Sequence, residues 1–222
     1  MRKIEKNLSL ATSYKRWLDG LNKSQKNHPL YSSSNNKYYY DIVANLLWVQ
    51  QGLCAYTEMF LVKLSTVAPE KWIKGTYPKF EFFGQLDHFD PSLKKEKGWE
   101  WDNYFVVHTD VNTKRKRDKK LNGIIKPDNK DYDPFYFLEY DFRQHHFLPN
   151  RDRTLKDQKL ILEDINALGL NFQPIIDYRI EYLKPIIDEV LLGILKISNA
   201  RTRLNKFYTA FEMSILSLGL TV

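Results

Sequence analysis

The feature that most constrains this chain is a change of period at its centre, between residues 77 and 120. Residues 77–91 read as extended, because Phe80 and Phe82 alternate with charged neighbours ahead of an Asp-His pair. The stretch KKEKGWE, residues 94–100, is a charged loop containing a glycine. YFVVH, residues 104–108, has the β-branched and aromatic content of a strand. Thr109 stands where an N-cap belongs and opens a short helix carrying Asn112 and the bases that follow it. The centre therefore reads strand, loop, strand, helix.

Helical periods flank this unit. Residues 22–36 are polar, with Pro29 and a serine run, and read as a loop. Tyr39, Val43, Leu46, Leu47 and Gln50 then step by three and four, and Gly52 ends the pattern, which predicts an N-terminal helix over 37–52. For LCAYTEMFLVKL, a strand pair and a short helix both remain open. Residues 121–153 are rich in Asp, Asn and Pro, and their aromatic segment YDPFYFLEYDF reads as an extended element on the core. Thr154 caps a helix through Leu168 that Gly169 stops. Asn171 caps the next, with Pro174 in its first turn and a kink at Pro185, and a final helix covers 199–217. The prediction is an α+β fold, with a small ββα core over 77–120 between N-terminal and C-terminal helices (the latter over 154–217). No repeat or linker divides it, so residues 1–222 are expected to form a single domain.

Composition narrows the function classes. With 43% hydrophobic and 14% aromatic residues, the 222-residue chain can bury a substantial core. No apolar run approaches the roughly 18–20 residues that span a bilayer. The basic start MRKIEKNLSLATSYKRW has no apolar h-region, which argues against a signal peptide. The single cysteine, Cys54, excludes an internal disulfide framework and a four-cysteine zinc site. A cytoplasmic protein without a membrane partner is the economical expectation. The net charge of +7 favours an acidic partner, most commonly nucleic acid. Residues 114–120, KRKRDKK, concentrate that charge, although such a run standing alone is as easily a solvated face.

QLDHFDP, residues 85–91, holds Asp87–His88 inside an apolar and aromatic run. Alone, such a pair is more often structural than chemical. Downstream, however, Asn103 follows His88 by fifteen residues and Asn112 follows Asn103 by nine. His88 then ends the first strand, Asn103 opens the second, and Asn112 lies in the first helical turn. Strand neighbours point to opposite faces, so Asp87 and His88 share a site only if the strand twists or ends there. Asp87 and Asn112 offer hard oxygen ligands suited to Mg²⁺ or Mn²⁺. Such an ion would neutralise charge as a phosphodiester is hydrolysed. His88 can take a proton from water near neutral pH. Asn103 would brace the loop and hold His88, and Lys114, Arg115, Lys116 and Arg117 would lie beside backbone phosphates.

DHFDP followed by WDNYFVVHTDVNTKRK resembles the HNH (ββα-metal) nuclease motif. The resemblance implies that His88 is the general base, that Asn103 supports it, and that Asp87 and Asn112 hold one divalent metal. Many members of that family carry paired CxxC-like zinc motifs. The equivalent places here are Cys54 and Thr57, then His108 and Val111, so a structural zinc is not expected. MRKIEK, QQGLCAYTE and the late pattern from Thr154 through Leu168 and Asn171 to Arg179 are similar to a subgroup of HNH proteins. These are the nuclease partners of ATPases in Septu-type and retron-linked anti-phage systems. The resemblance thus implies a DNA substrate (RNA less so) and an ATPase partner docking on the C-terminal helices.

A second reading from another class is a non-catalytic nucleic-acid-binding or assembly module that keeps the HNH shape. Among the remaining residues, His108, His145 and His146 read as structural, Trp99 and Trp101 as core, and Glu58 as solvated or salt-bridged. Arg179 reads as a brace through a salt bridge rather than a phosphate contact. The apolar end ILSLGLTV either completes the core or docks a partner.

Overall fold

The computed structural model describes residues 1–6, 12–24, 27–29, 31, 37–71 and 76–220. The serine run of the 22–36 loop and the final Thr221–Val222 lie outside the described residues. The chain folds as a mixture of helix and strand in which helix predominates.

Helix α1 (Thr12–Lys23) turns Tyr14 and Leu18 inward, and the Tyr14 hydroxyl donates to the Trp99 carbonyl at 2.6 Å. Helix α2 (Tyr39–Val49) differs from the expected amphipathic helix. Ile42, Val43, Ala44, Leu46 and Leu47 have no exposure, and Asp41 and Asn45 are buried with them, so this stretch is enclosed by the core instead of presenting a solvated face. The LCAYTEMFLVKL segment is neither helix nor strand pair; it is a series of turns with one isolated bridge, Leu53 to Phe60.

Strands β1 (Gly84–His88) and β2 (Tyr104–His108) pair antiparallel, with Leu86 opposite Val106 and His88 opposite Tyr104. The stretch before Gly84 is irregular, so the expected strand is shorter than predicted. A two-stranded sheet leaves backbone groups unpaired at its edges. On β2 the Gln50 amide fills that need, donating to the Val106 carbonyl at 2.8 Å and accepting from the Val106 N–H at 3.0 Å. Helix α3 (Thr109–Val111) follows and passes directly into a π-helical turn, Asn112–Lys116, closed by the Arg117 N–H on the Asn112 carbonyl at 2.8 Å. Thr109 is the first helical residue rather than the cap.

The 121–153 segment holds more structure than one extended element. A short helix α4 (Pro134–Phe137) leads into a second antiparallel hairpin, β3 (Leu138–Asp141) with β4 (His146–Pro149). In α5 (Leu155–Ala167) the Thr154 hydroxyl accepts from the Asp157 N–H at 3.1 Å, as a cap should. Asn171 does not cap α6 (Gln173–Leu191). Its amide instead pairs with both the N–H and the carbonyl of Phe147 at 2.8 Å, closing an edge of β4. The expected single helix over 199–217 is two, α7 (Ile197–Arg203) and α8 (Tyr208–Ser217), separated where Phe207 takes a left-handed φ of 57°.

Arg179 on α6 is fully buried and braces this half, though through backbone carbonyls rather than a salt bridge. It donates to His145 at 2.6 Å and to Leu170 at 2.8 Å, among the rings of Tyr140, Phe147 and Phe207. Among the described residues no helix is long and apolar enough to cross a membrane.

Candidate active site

β1 ends at His88, and a fifteen-residue excursion (89–103) separates it from β2. That excursion turns back on itself at Gly98, where a side chain is excluded: a Cβ would lie 2.6 Å from the Lys94 carbonyl. The Gly98 carbonyl consequently points inward and accepts from His88 Nε2 at 2.9 Å and from the Tyr104 hydroxyl. A carbonyl only accepts, so Nε2 carries the proton and Nδ1 keeps its lone pair. Tyr31 packs edge-on against the His88 ring and Tyr104 packs on it at a tilt, each with centroids 4.8 Å away. Burial, with smaller contributions from Lys94 and Lys116, pushes the His88 pKa down to about 4. The imidazole is neutral at neutral pH, in the form that can accept a proton.

Asp87 is 4% exposed. Burial raises its pKa to about 6, while Lys116 and the Tyr56 hydrogen bond pull it back. The Tyr56 hydroxyl donates to Oδ2 at 2.7 Å, whereas Oδ1 receives no protein hydrogen bond among the described residues. Asn112, the first residue of the π-helical turn, likewise has no side-chain hydrogen bond among the described residues. Asp87, His88 and Asn112 all line one cleft of about 700 Å³, with Lys94, Lys95 and Arg117 at its walls.

Among the described residues Asn103 makes no hydrogen bond to the His88 side chain. Its Oδ1 accepts from the Asp90 N–H at 2.7 Å and its Nδ2 donates to the Asp90 carbonyl at 2.9 Å, pinning the chain two residues beyond His88. The four bases assigned to phosphate divide. Arg117 is exposed and lines the cleft, donating from Nε to the Thr113 carbonyl at 2.8 Å. Lys114 is exposed and pairs with Asp110 at 3.0 Å. Arg115 faces the C-terminal half, with its guanidinium 4.6 Å from the Phe172 ring centre. Lys116 is wholly buried: its ammonium donates to the His88 carbonyl at 3.1 Å and lies 3.9 Å from Asp87 Oδ2. Arg115 and Lys116 therefore leave the phosphate-facing set, because packing already claims their charged ends.

The donor set suits a hard divalent cation. Among the described residues no three His, Cys, Asp or Glu side chains gather as a cage. One carboxylate and one amide oxygen beside open space match the habit of Mg²⁺, which keeps several waters and shares phosphate oxygens. The Cys54 region does not fit tetrahedral zinc, which takes four ligands. Cys54 Sγ accepts from the His108 N–H at 3.3 Å, and the neighbouring places hold Thr57 and Val111. Glu58 is buried and salt-bridged: it accepts from the Thr209 N–H at 2.9 Å and lies 3.1 Å from the Met1 amino group.

Sequence reasoning missed Tyr56, Tyr31, Gly98 and the inward role of Lys116. None of these left a signal in the sequence, since each reaches the site only through the fold. No protein-family model matches the chain, and no curated protein matches it significantly. What the fold and cleft define by themselves is an α+β protein whose hairpin and short helix bring an acid, a neutral imidazole and an amide to one opening.

Proposed function

We propose that this chain is a metal-dependent endonuclease of the HNH kind, hydrolysing phosphodiester bonds of DNA. The observation that carries the reading is the meeting of Asp87, His88 and Asn112 in one cleft, with His88 neutral and with oxygens of Asp87 and Asn112 unused by the protein. Asp87 and Asn112 would hold Mg²⁺ or Mn²⁺, which supplies charge neutralisation at the phosphate and the departing oxygen. His88 Nδ1 takes the proton of the attacking water, while Gly98, Tyr31 and Tyr104 hold the ring. Asn103 fixes the backbone beyond it. Lys95 and Arg117 attract the strand by its phosphates. The resemblance to nuclease effectors of anti-phage systems supports a role in defence in the cytoplasm beside an ATPase partner.

One observation favours the second reading, a binding module that does not cut. Lys116 already neutralises Asp87 in part. Crystals of a DNA complex soaked in Mn²⁺ distinguish the two. An anomalous peak contacting both Asp87 and Asn112 is the result expected of the nuclease. Ordered Mn²⁺ elsewhere, or none, with DNA binding intact, assigns the chain to the binding module.

A further inference from the structure

Asp87 is addressed from one side only. Tyr56 donates to Oδ2 at 2.7 Å, and the Lys116 ammonium lies 3.9 Å from the same oxygen. Lys116 is held there by the His88 carbonyl at 3.1 Å, so one side chain grips both members of the Asp-His pair. Its aliphatic stem is enclosed with it: the residue has no exposure although it belongs to the run KRKRDKK. A π-helical turn separates it from Asn112, and such turns recur at functional sites. The carboxylate that faces the cleft therefore shares its charge with a resident cation before any divalent ion arrives.

Resting on the nuclease reading, we propose that Lys116 is a positioning residue that couples metal binding to substrate binding. Lys116 and Tyr56 hold Oδ2, which leaves Oδ1 without a protein donor among the described residues. The ammonium also repels a second cation, so Asp87 and Asn112 hold a divalent ion weakly in the free protein. A phosphodiester adds negative charge at the same opening and restores the balance. Metal and DNA then strengthen each other's binding, and by linkage the coupling is the same in both directions. An ion loaded only with substrate keeps the hydrolytic site idle between targets.

The test is Mn²⁺ affinity, read by electron paramagnetic resonance of the free ion, in the wild type, Lys116→Met and Asp87→Ala. Lys116→Met keeps the stem and removes the charge; because losing one partner of a buried pair is destabilising, folding of the variant is checked before its affinity is read. The expected result is that Lys116→Met binds Mn²⁺ about tenfold more tightly than the wild type, within the usual range of coupling between sites. An unchanged or weaker affinity in folded Lys116→Met, with binding abolished in Asp87→Ala, overturns the proposal and leaves the nuclease reading standing. Mn²⁺ binding indifferent to Asp87→Ala overturns the nuclease reading itself. Should Lys116→Met fail to fold, His88→Ala with and without a DNA duplex decides the matter. DNA should raise its Mn²⁺ affinity at least about fivefold, and no rise overturns the coupling.

Discussion

Lowering the pH should separate Asp87 from His88 by the sign of their effects on stability. The two are neighbours, 4% and 3% exposed, and burial moves them in opposite directions. Asp87 goes from an ordinary 3.8 up to about 6, and His88 from 6.5 down to about 4. A carboxyl with a raised pKa in the folded state favours the fold most when protonated. Its contribution is complete below pH 3.8 and is lost as pH rises through about 6. A depressed imidazole behaves oppositely: its contribution is complete above pH 6.5 and is lost as pH falls through about 4. At roughly 1.4 kcal/mol per pH unit, each is worth about 3 kcal/mol. Between about pH 4 and 6 the two nearly cancel in the wild type, and single variants should reveal them.

The assay is urea unfolding in metal-free buffer across that window for the wild type, Asp87→Asn and His88→Gln. Relative to Asp87→Asn, the wild type should lose about 3 kcal/mol as pH rises; relative to His88→Gln it should gain about as much. The slope is the readout, because losing a partner for Lys116 or Gly98 moves the level of each curve. Parallel curves for all three proteins would show that neither group is desolvated, and the reasoning about a neutral His88 would fall.

Gly98→Ala should destabilise the fold by about 1–3 kcal/mol, since the added carbon meets the Lys94 carbonyl; urea unfolding measures this, and any nuclease activity should fall with it as the His88 anchor shifts. Asn171→Ala removes two hydrogen bonds from β4 and should cost about 1–3 kcal/mol, with hydrogen exchange at Phe147 rising before that of β2. Arg117→Ala should reduce the salt slope of DNA binding by about one, whereas Arg115→Ala, which strips a cation from the Phe172 ring, should leave the slope unchanged and lower stability. Fluorescence anisotropy at stepped salt concentrations separates the two arginines.

The strand–loop–strand–helix order was legible because each segment has its own period and its own punctuation. β2 and the Thr154 cap stand where YFVVH and the helix signal put them. The β3–β4 hairpin was hidden because the four residues between its strands hold no Gly, Asn or Asp, and its turn-former, Asp141, is the last residue of β3, with Oδ1 accepting from the Arg143 N–H at 2.9 Å. His145 takes a left-handed φ of 55° there, held by the Tyr140 hydroxyl and by Arg179, which reaches its carbonyl from α6. The break between α7 and α8 carries Asn205, but its sharpest turn falls on Phe207, which adopts a conformation that tertiary packing imposes, its N–H bonding the Glu58 carbonyl. In the cleft, spacing pointed to Asp87, His88 and Asn112, whereas Asn103 lies outside it with its amide on Asp90. Spacing could not find Tyr56 or Gly98, which reach Asp87 and His88 only through the fold. Charge patterning also misread Lys116, since a basic run says nothing about which of its members turns inward.

The most direct test of the central claim is plasmid cleavage by the wild type and His88→Ala in Mg²⁺ and in Mn²⁺, each with a chelated control. The account predicts cleavage by the wild type that chelation abolishes and that His88→Ala lowers by about 10²–10⁴-fold, the usual worth of a general base. Cleavage by His88→Ala at the wild-type rate, or none by the wild type with either metal, would contradict it.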